Sequence, residues 1–252
     1  MTVTTSVKTV DRLVRVLDCF TAERPTWSLA ELSEALDLPK STLHRFLTSL
    51  EEHAILRRDP RDKLWRLGYR LMSWGHLAAQ STSLRDIARP IMSELVAATG
   101  ETVILTVYDH HTVVCVEKVE TNHSVRMTLD VGSRRRPHAG ASSKVLMAYL
   151  PEREIRAVID EGLTRVSRNT VTDPEALRAE LAQIREQGYA ESLEETDPGA
   201  WGVATPIWND REVIAAIGIA GPSSRFSDEL ARSYVALCKD AAHRVSTLLR
   251  SK

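Results

Sequence analysis

Ser41, His44, Arg45 and Thr48 recur at spacings of three and four residues, and all four can hydrogen-bond to nucleic acid. On an α-helix that spacing puts them on one face. A guanidinium can fork onto guanine O6 and N7, while hydroxyls and an imidazole reach phosphates or base edges in a major groove. Arg45 and His44 are therefore the first candidates for base contacts, with Ser41 and Thr48 beside them and Thr42 in the same run. Lys40, Arg57, Arg58, Arg61 and Lys63 suit phosphates or a minor groove. Between residues 40 and 70, eight basic residues stand against four acidic ones, a local charge of +4 in a chain of net charge −1. A basic module on a nearly neutral chain predicts localised attraction to a polyanion.

The elements that must present these residues are legible in residues 28–50, SLAELSEALDLPKSTLHRFLTSL. Ser28 and Glu31 have the spacing of a capping box at a helix start. Leu29, Leu32 and Leu36 share one face of that helix. After Asp37-Leu38, Pro39 suits the first turn of a second helix, whose Leu43, Phe46, Leu47 and Leu50 turn inward. An ordinary helical hairpin would look the same up to this point. Residues 54–66 then read as two short strands around an Asp59-Pro60-Arg61-Asp62 turn, which is a wing behind a recognition helix. A first helix with Val10, Leu13, Val14, Leu17 and Phe20 on one stripe is expected to pack under the pair. One winged helix reads few base pairs, so a homodimer or homotetramer on a near-palindromic double-stranded DNA operator is expected.

Length and composition fit two globular domains: 252 residues, 43% hydrophobic and 27% charged. No apolar run approaches the roughly 20 residues that span a bilayer, and the first residues lack the apolar core of a signal peptide. Three scattered cysteines, Cys19, Cys115 and Cys238, suggest buried thiols in a reducing compartment. A cytoplasmic protein without membrane contact is expected. Residues 68–80 read as a linker helix with Leu71, Trp74 and Leu77 on one side. A helix over 84–99 carries Leu84, Ile87, Ile91 and Leu95 inward. Strands are expected over 102–108, 112–119 and 124–131, helices over 142–150, 152–161 and 174–187, strands over 189–192, 202–208 and 213–220, and a last helix from 228 to about 249. That order describes an α+β chain: an N-terminal winged helix-turn-helix (1–67), a linker helix (68–82), and a mixed domain on an antiparallel sheet (83–252).

Other constellations carry less. His110, His111, Cys115 and His123 lack a recognised zinc spacing. Cys115 lies in the apolar run Val113-Val114-Cys115-Val116, where a structural thiol is the default. No nucleophile elbow, phosphate-binding glycine loop or zinc-protease motif is present, so no enzyme, cofactor or metal is expected. Arg134-Arg135-Arg136 fits an anion clamp, a subunit contact or a solvated loop, and charge runs usually face water.

The chain resembles the IclR family of bacterial transcriptional regulators over nearly its whole length. The residues 29–59, LAELSEALDLPKSTLHRFLTSLEEHAILRRD, look like that family's winged helix-turn-helix. GSRRRPHAGASSKVLMAYL, GYAESLEE, GAWGVATPIWND and IAAIGIAGPSSR resemble its later segments in the expected order. The resemblance implies a GAF-like C-terminal domain, a dimer or tetramer, and control by a small effector, often an organic or aromatic acid. Carried over, the effector-facing positions are Met127, Ala141, Ser142, Gly202, Gly218 and Ala220. This chain has Ser143 where the family commonly has glycine before the lysine matching Lys144. Several family members are polar or bulkier where Gly202, Gly218 and Ala220 stand, which implies a roomier, less polar wall here. Within that frame, the backbone N–H groups at Ala141–Ser142 offer a carboxylate a helix start, unless Ser142 caps the helix itself, and Trp201 with Met127 offers apolar walls. The rival reading is a metabolite-binding or enzymatic protein with an incidental helix-turn-helix.

Overall fold

The computed structural model describes residues 7–21, 23–80, 83–127 and 129–251, with backbone only at 76, 79, 80 and 83. Two compact units divide between Ser81 and Thr82.

In the first unit, helix α1 (Lys8–Asp18) precedes α2 (Leu29–Leu36) and α3 (Lys40–Glu52). The capping box forms: Ser28 Oγ accepts the Glu31 N–H at 3.3 Å, and Glu31 Oε2 accepts the Ser28 N–H at 2.8 Å. α2 stops at Asp37, in the left-handed region at φ 51°, and Pro39 is the residue ahead of α3's first turn. Leu32, Leu36, Leu43, Leu47 and Leu50 are buried between the helices. Strands β1 (Leu56–Arg58) and β2 (Trp65–Leu67) pair antiparallel as the wing, and Trp27 bridges Trp65 alongside. The Asp62 carboxylate accepts the Leu64 N–H and two Arg66 donors, and the bond from Arg66 holds its pKa down at about 2. A Cβ on Gly68 would lie 2.1 Å from Ala54 O, so only glycine lets the wing close against the turn after α3.

α1 packs differently from its expected stripe. Val10 and Val14 are 54% and 49% exposed, whereas Val16 is fully buried. The contact face runs through Leu13, Val16, Leu17 and Phe20, itself a helical i, i+3, i+4, i+7 set rotated away from Val10 and Val14. Helix α4 (Arg70–Gln80) likewise leaves Trp74 and Leu77 exposed, together with Met72.

In the second unit, helix α5 (Ser83–Thr99) leads into β3 (Thr102–Asp109) and β4 (Thr112–Val119). After the edge strand β5 (Arg134–Arg135) come helices α6 (Ala141–Ala148), α7 (Glu152–Asp160) and α8 (Pro174–Gln187). Strands β6 (Ala190–Leu193), β7 (Ala200–Asn209) and β8 (Glu212–Pro222) and helix α9 (Asp228–Arg250) complete it. The sheet is antiparallel throughout, in the order β5-β4-β3-β8-β7-β6. One face packs on α5 and α9, the other on α6, α7 and α8. Side-chain alternation decides which residue faces which layer. On β7, Trp201, Val203 and Ile207 join the α5–α9 core, and Ala204 joins the α6–α8 core.

The strand expected over 124–131 does not form among the described residues; the edge strand is β5, paired as Val113↔Arg135 and Val114↔Arg134. The segment before it is tied by other bonds. Arg225 donates to Val125 O at 3.1 Å, and Lys118 pairs with Asp130 at 3.0 Å. Val125 and Val131 are 65% and 49% exposed, so the alternation there has no core layer to bury against.

Candidate nucleic-acid interface and ligand cavity

The face of α3 opposite its buried leucines presents Ser41, His44 and Arg45 exposed, with Thr42 and Thr48 half-buried. Thr48 Oγ1 stands 3.5 Å from His44 Nδ1. No side chain caps the start of α3, so its first backbone N–H groups and positive dipole end are free for a phosphate. Lys40, Arg45, Arg61 and Lys63 form no ion pair with the described residues. Arg58 is oriented over Trp65 and donates to Lys63 O at 3.1 Å, and Arg57 lies over Tyr69. Arg66 is spent within the wing, on Asp62 at 2.6 Å and Asp59 at 3.4 Å. Lys40, Arg45, Arg57, Arg58, Arg61 and Lys63 thus lie exposed on α3 and the wing.

In the second unit a cavity opens on the α6 side of the sheet, with about 710 Å³ of empty space including its mouth. Met127, Ala141, Ser142, Trp201, Gly202 and Ala220 border it. Gly218 does not, because the Ser142 hydroxyl covers it: a Cβ there would lie 2.6 Å from Ser142 Oγ. Trp201 is not the expected apolar wall. Its ring packs tilted at 45° against Phe226 and Tyr234, with centroids 5.0 Å and 5.8 Å away, in the core under α9. Adjacent strand residues point to opposite faces, so Gly202 faces the cavity and Trp201 faces away. Apolar surface comes instead from Ile104, Val113, Met127 and Leu129.

The start of α6 has its cap N–H taken, and no side chain of the described residues caps the N–H groups that follow. Gly140, at φ 91°, is the cap residue; its N–H donates to Glu195 Oε2 at 3.1 Å, and Ser142 does not cap the helix. A Cβ on Gly140 would also stand 2.9 Å from Thr196 Cγ2. Behind the helix start, Lys144 is fully buried, and its ammonium donates to Glu195 Oε1 at 2.6 Å, to Glu191 O at 3.3 Å and to Glu180. Burial pushes the Glu195 carboxyl above its ordinary range despite the lysine. This triad around a buried lysine had no local signal in the sequence.

Arg135, Asp197, Thr106, Thr196 and Cys115 also line the cavity. The arginine run is split by strand alternation. Arg134 pairs outward with Asp109 at 3.0 Å and Thr112 at 2.7 Å, while Arg135 turns to the cavity and meets Asp197 at 3.3 Å. Arg134 and Arg136 are exposed, as the solvated reading for the run expects, and Arg135 is not. Cys115 is buried, and burial pushes its thiol up to about 11. The histidines scatter. His111 sits by Glu161 at 2.9 Å, His110 is exposed, and buried His138 donates from Nε2 to Thr164 O at 3.0 Å. Among the described residues no three His, Cys, Asp or Glu side chains are grouped to hold a metal, and no helix is long and apolar enough to cross a membrane.

Two family models match the chain: the IclR helix-turn-helix domain over residues 9–60, and the bacterial transcriptional regulator IclR C-terminal domain over residues 76–247. The HTH-type transcriptional regulator KipR of Bacillus subtilis is 34% identical over 241 residues, covering 95% of this chain and 96% of that one. The HTH-type transcriptional regulator XynR of Escherichia coli is 36% identical over 225 residues, covering 88% and 89%. A solved structure of an IclR homolog from Microbacterium hydrocarbonoxydans, complexed with 4-hydroxybenzoate, superposes with a TM-score of 0.82 at 31% identity, covering 96% of this chain and 99% of that one.

Proposed function

The chain belongs to the IclR family of bacterial transcriptional regulators, and from that premise we propose a cytoplasmic, non-enzymatic homodimer or homotetramer that reads a near-palindromic operator and is switched by a small organic or aromatic acid. The observation that carries the DNA part is the unpaired face of α3, with Arg45 at its centre. Arg45 and His44 contact base edges, with Ser41, Thr42 and Thr48 beside them; Lys40, Arg57, Arg58, Arg61 and Lys63 hold phosphates. Self-association is supported by exposed apolar residues at helical spacing, Val7, Val10 and Val14 before and on α1 and Trp74 and Leu77 on α4.

The effector site is the cavity. Met127, Ala141, Ser142, Gly202 and Ala220 shape it, the two small residues leaving room for an apolar body, and Gly218 lets the Ser142 hydroxyl pack down. The 4-hydroxybenzoate in the similar structure supports an aromatic or related acid. A non-enzymatic reading is supported by the Cys115 thiol, which at a pKa of about 11 is not a nucleophile at neutral pH.

Selection of genomic fragments by the purified protein at near-physiological salt tests the DNA reading. Enrichment of a few near-palindromic sites is expected, and Arg45→Ala should relax preference at one base position by about 1–3 kcal/mol. Uniform, salt-sensitive retention, or an Arg45→Ala variant with unchanged specificity, would overturn it.

A further inference from the structure

The cations near the cavity differ in what they are free to do. Lys144 is buried and fully satisfied, and Arg134 is committed outward. The start of α6 already carries the Glu195 carboxylate on its cap N–H. Arg135 is the remaining cation that lines the cavity, and Asp197 is the charged residue opposite it.

Their pairing is thin. One Nη1–Oδ2 contact of 3.3 Å joins them, with side chains 32% and 45% exposed, so solvent screens the pair. Asp197 is held by backbone, not by Arg135: it starts the turn Asp197-Pro198-Gly199-Ala200, closed by the Ala200 N–H on Asp197 O at 3.2 Å with Gly199 at φ 74°. Its side chain can therefore leave Arg135 while the turn stays formed. A carboxylate entering from the cavity can take two parallel guanidinium N–H bonds in place of one.

We propose that Arg135 is the residue that selects an acidic ligand in this cavity, and that the ligand's carboxylate binds by displacing Asp197 from the guanidinium. The inference rests on the reading of the cavity as the effector site. It assigns the ligand class as a monocarboxylate on a compact apolar body, with its acid end at the β5 rim.

The test uses the full chain labelled at methionine methyls, with the cavity-lining Met127 as reporter and Met127→Leu to identify its signal. Probes are 4-hydroxybenzoate, phenylacetate and pyruvate, each against its neutral amide. In the parent protein at least one acid should shift Met127 and bind more tightly than its amide. Arg135→Leu should weaken that acid by about tenfold or more, the low end for a bond to a charged group, and leave the amide unchanged. Asp197→Asn should strengthen the acid. The opposite signs separate competition from a structural ion pair, whose loss would weaken binding in both variants. Equal acid and amide affinity, an unaffected Arg135→Leu, or weakening in Asp197→Asn overturns the proposal while a shifted Met127 keeps the cavity as the site. If no probe moves Met127, the cavity reading falls and this inference with it.

Discussion

Lys144→Met removes one charge from a fully buried position and keeps an unbranched chain of similar bulk. What it changes is the state of Glu195. That side chain is 9% exposed and loses its counter-ion, while Glu180, at 29%, keeps access to water. An ionised carboxylate abandoned in the interior costs several kcal/mol, but the protein can escape by protonating it. Neutralising a carboxyl of ordinary pKa 4.5 costs about 1.4 kcal/mol for each pH unit above that value. The loss is therefore bounded at about 3.4 kcal/mol at pH 7 and about 1.4 kcal/mol at pH 5.5. For a unit the size of Thr82–Lys252 the larger figure corresponds to about 7–14 °C in melting temperature. The sign follows from the raised folded-state pKa: as pH falls through it, the folded variant takes up the proton and recovers stability, fully so below the unfolded value. Calorimetry of the full chain at pH 7 and pH 5.5, following the C-terminal transition, reads both numbers. Adding Glu195→Gln should bring the double variant to within about 1 kcal/mol of the parent. An unchanged melting temperature at pH 7, a deficit that ignores pH, or no recovery from Glu195→Gln would refute the reasoning.

His138 is buried with its Nε2–H on Thr164 O, and burial lowers its pKa from 6.5. Above 6.5 both states are neutral; below it the unfolded chain alone protonates, so stability is lost as pH falls toward the lower folded value. Denaturant midpoints between pH 7 and pH 5 should show that slope, and His138→Gln, whose amide can replace the donor, should flatten it. Gly140→Ala should cost about 1–3 kcal/mol, since φ is 91° and the new Cβ would meet Thr196 Cγ2 at 2.9 Å; a melt within error of the parent would deny both constraints. Arg61→Ala and Lys63→Ala should each weaken every DNA site alike and reduce the salt slope by about 1, measured by fluorescence anisotropy across a salt series.

What was legible in the chain was what its neighbours in sequence decide. The capping box at Ser28 and Glu31 and the leucine spacing of α3 are settled within a few residues, and each element stands where those signals put it. The same local reading failed where a pattern had no partner. Residues 124–131 alternate like a strand, yet no layer covers Val125 and Val131. Val10 and Val14 share a helical stripe with Leu13 and Leu17, but only the Val16 side of α1 meets a core.

The cavity divides along the same line. Small residues at Gly202 and Ala220 mark where space can open, because a missing side chain is a local fact. The face on which a side chain acts depends on strand parity, and Trp201 and Gly202, being adjacent on β7, cannot both serve one cavity. That much could have been read from the expected strand over 202–208 extended by one residue. The charges are another matter. Lys144 meets Glu180 and Glu195, 36 and 51 residues on, and Arg135 meets Asp197, 62 residues on. Composition counts such charges but does not pair them. Both pairings converge on the short connection between β6 and β7, which carries Glu195 and Asp197 two residues apart. One of these carboxylates is locked into the core beneath α6 and the other is exposed at the cavity rim. The connection therefore has a fixed end and an exchangeable end. A ligand that competes for Arg135 acts on the exchangeable end alone, leaving the Lys144 anchor to keep the cavity's shape.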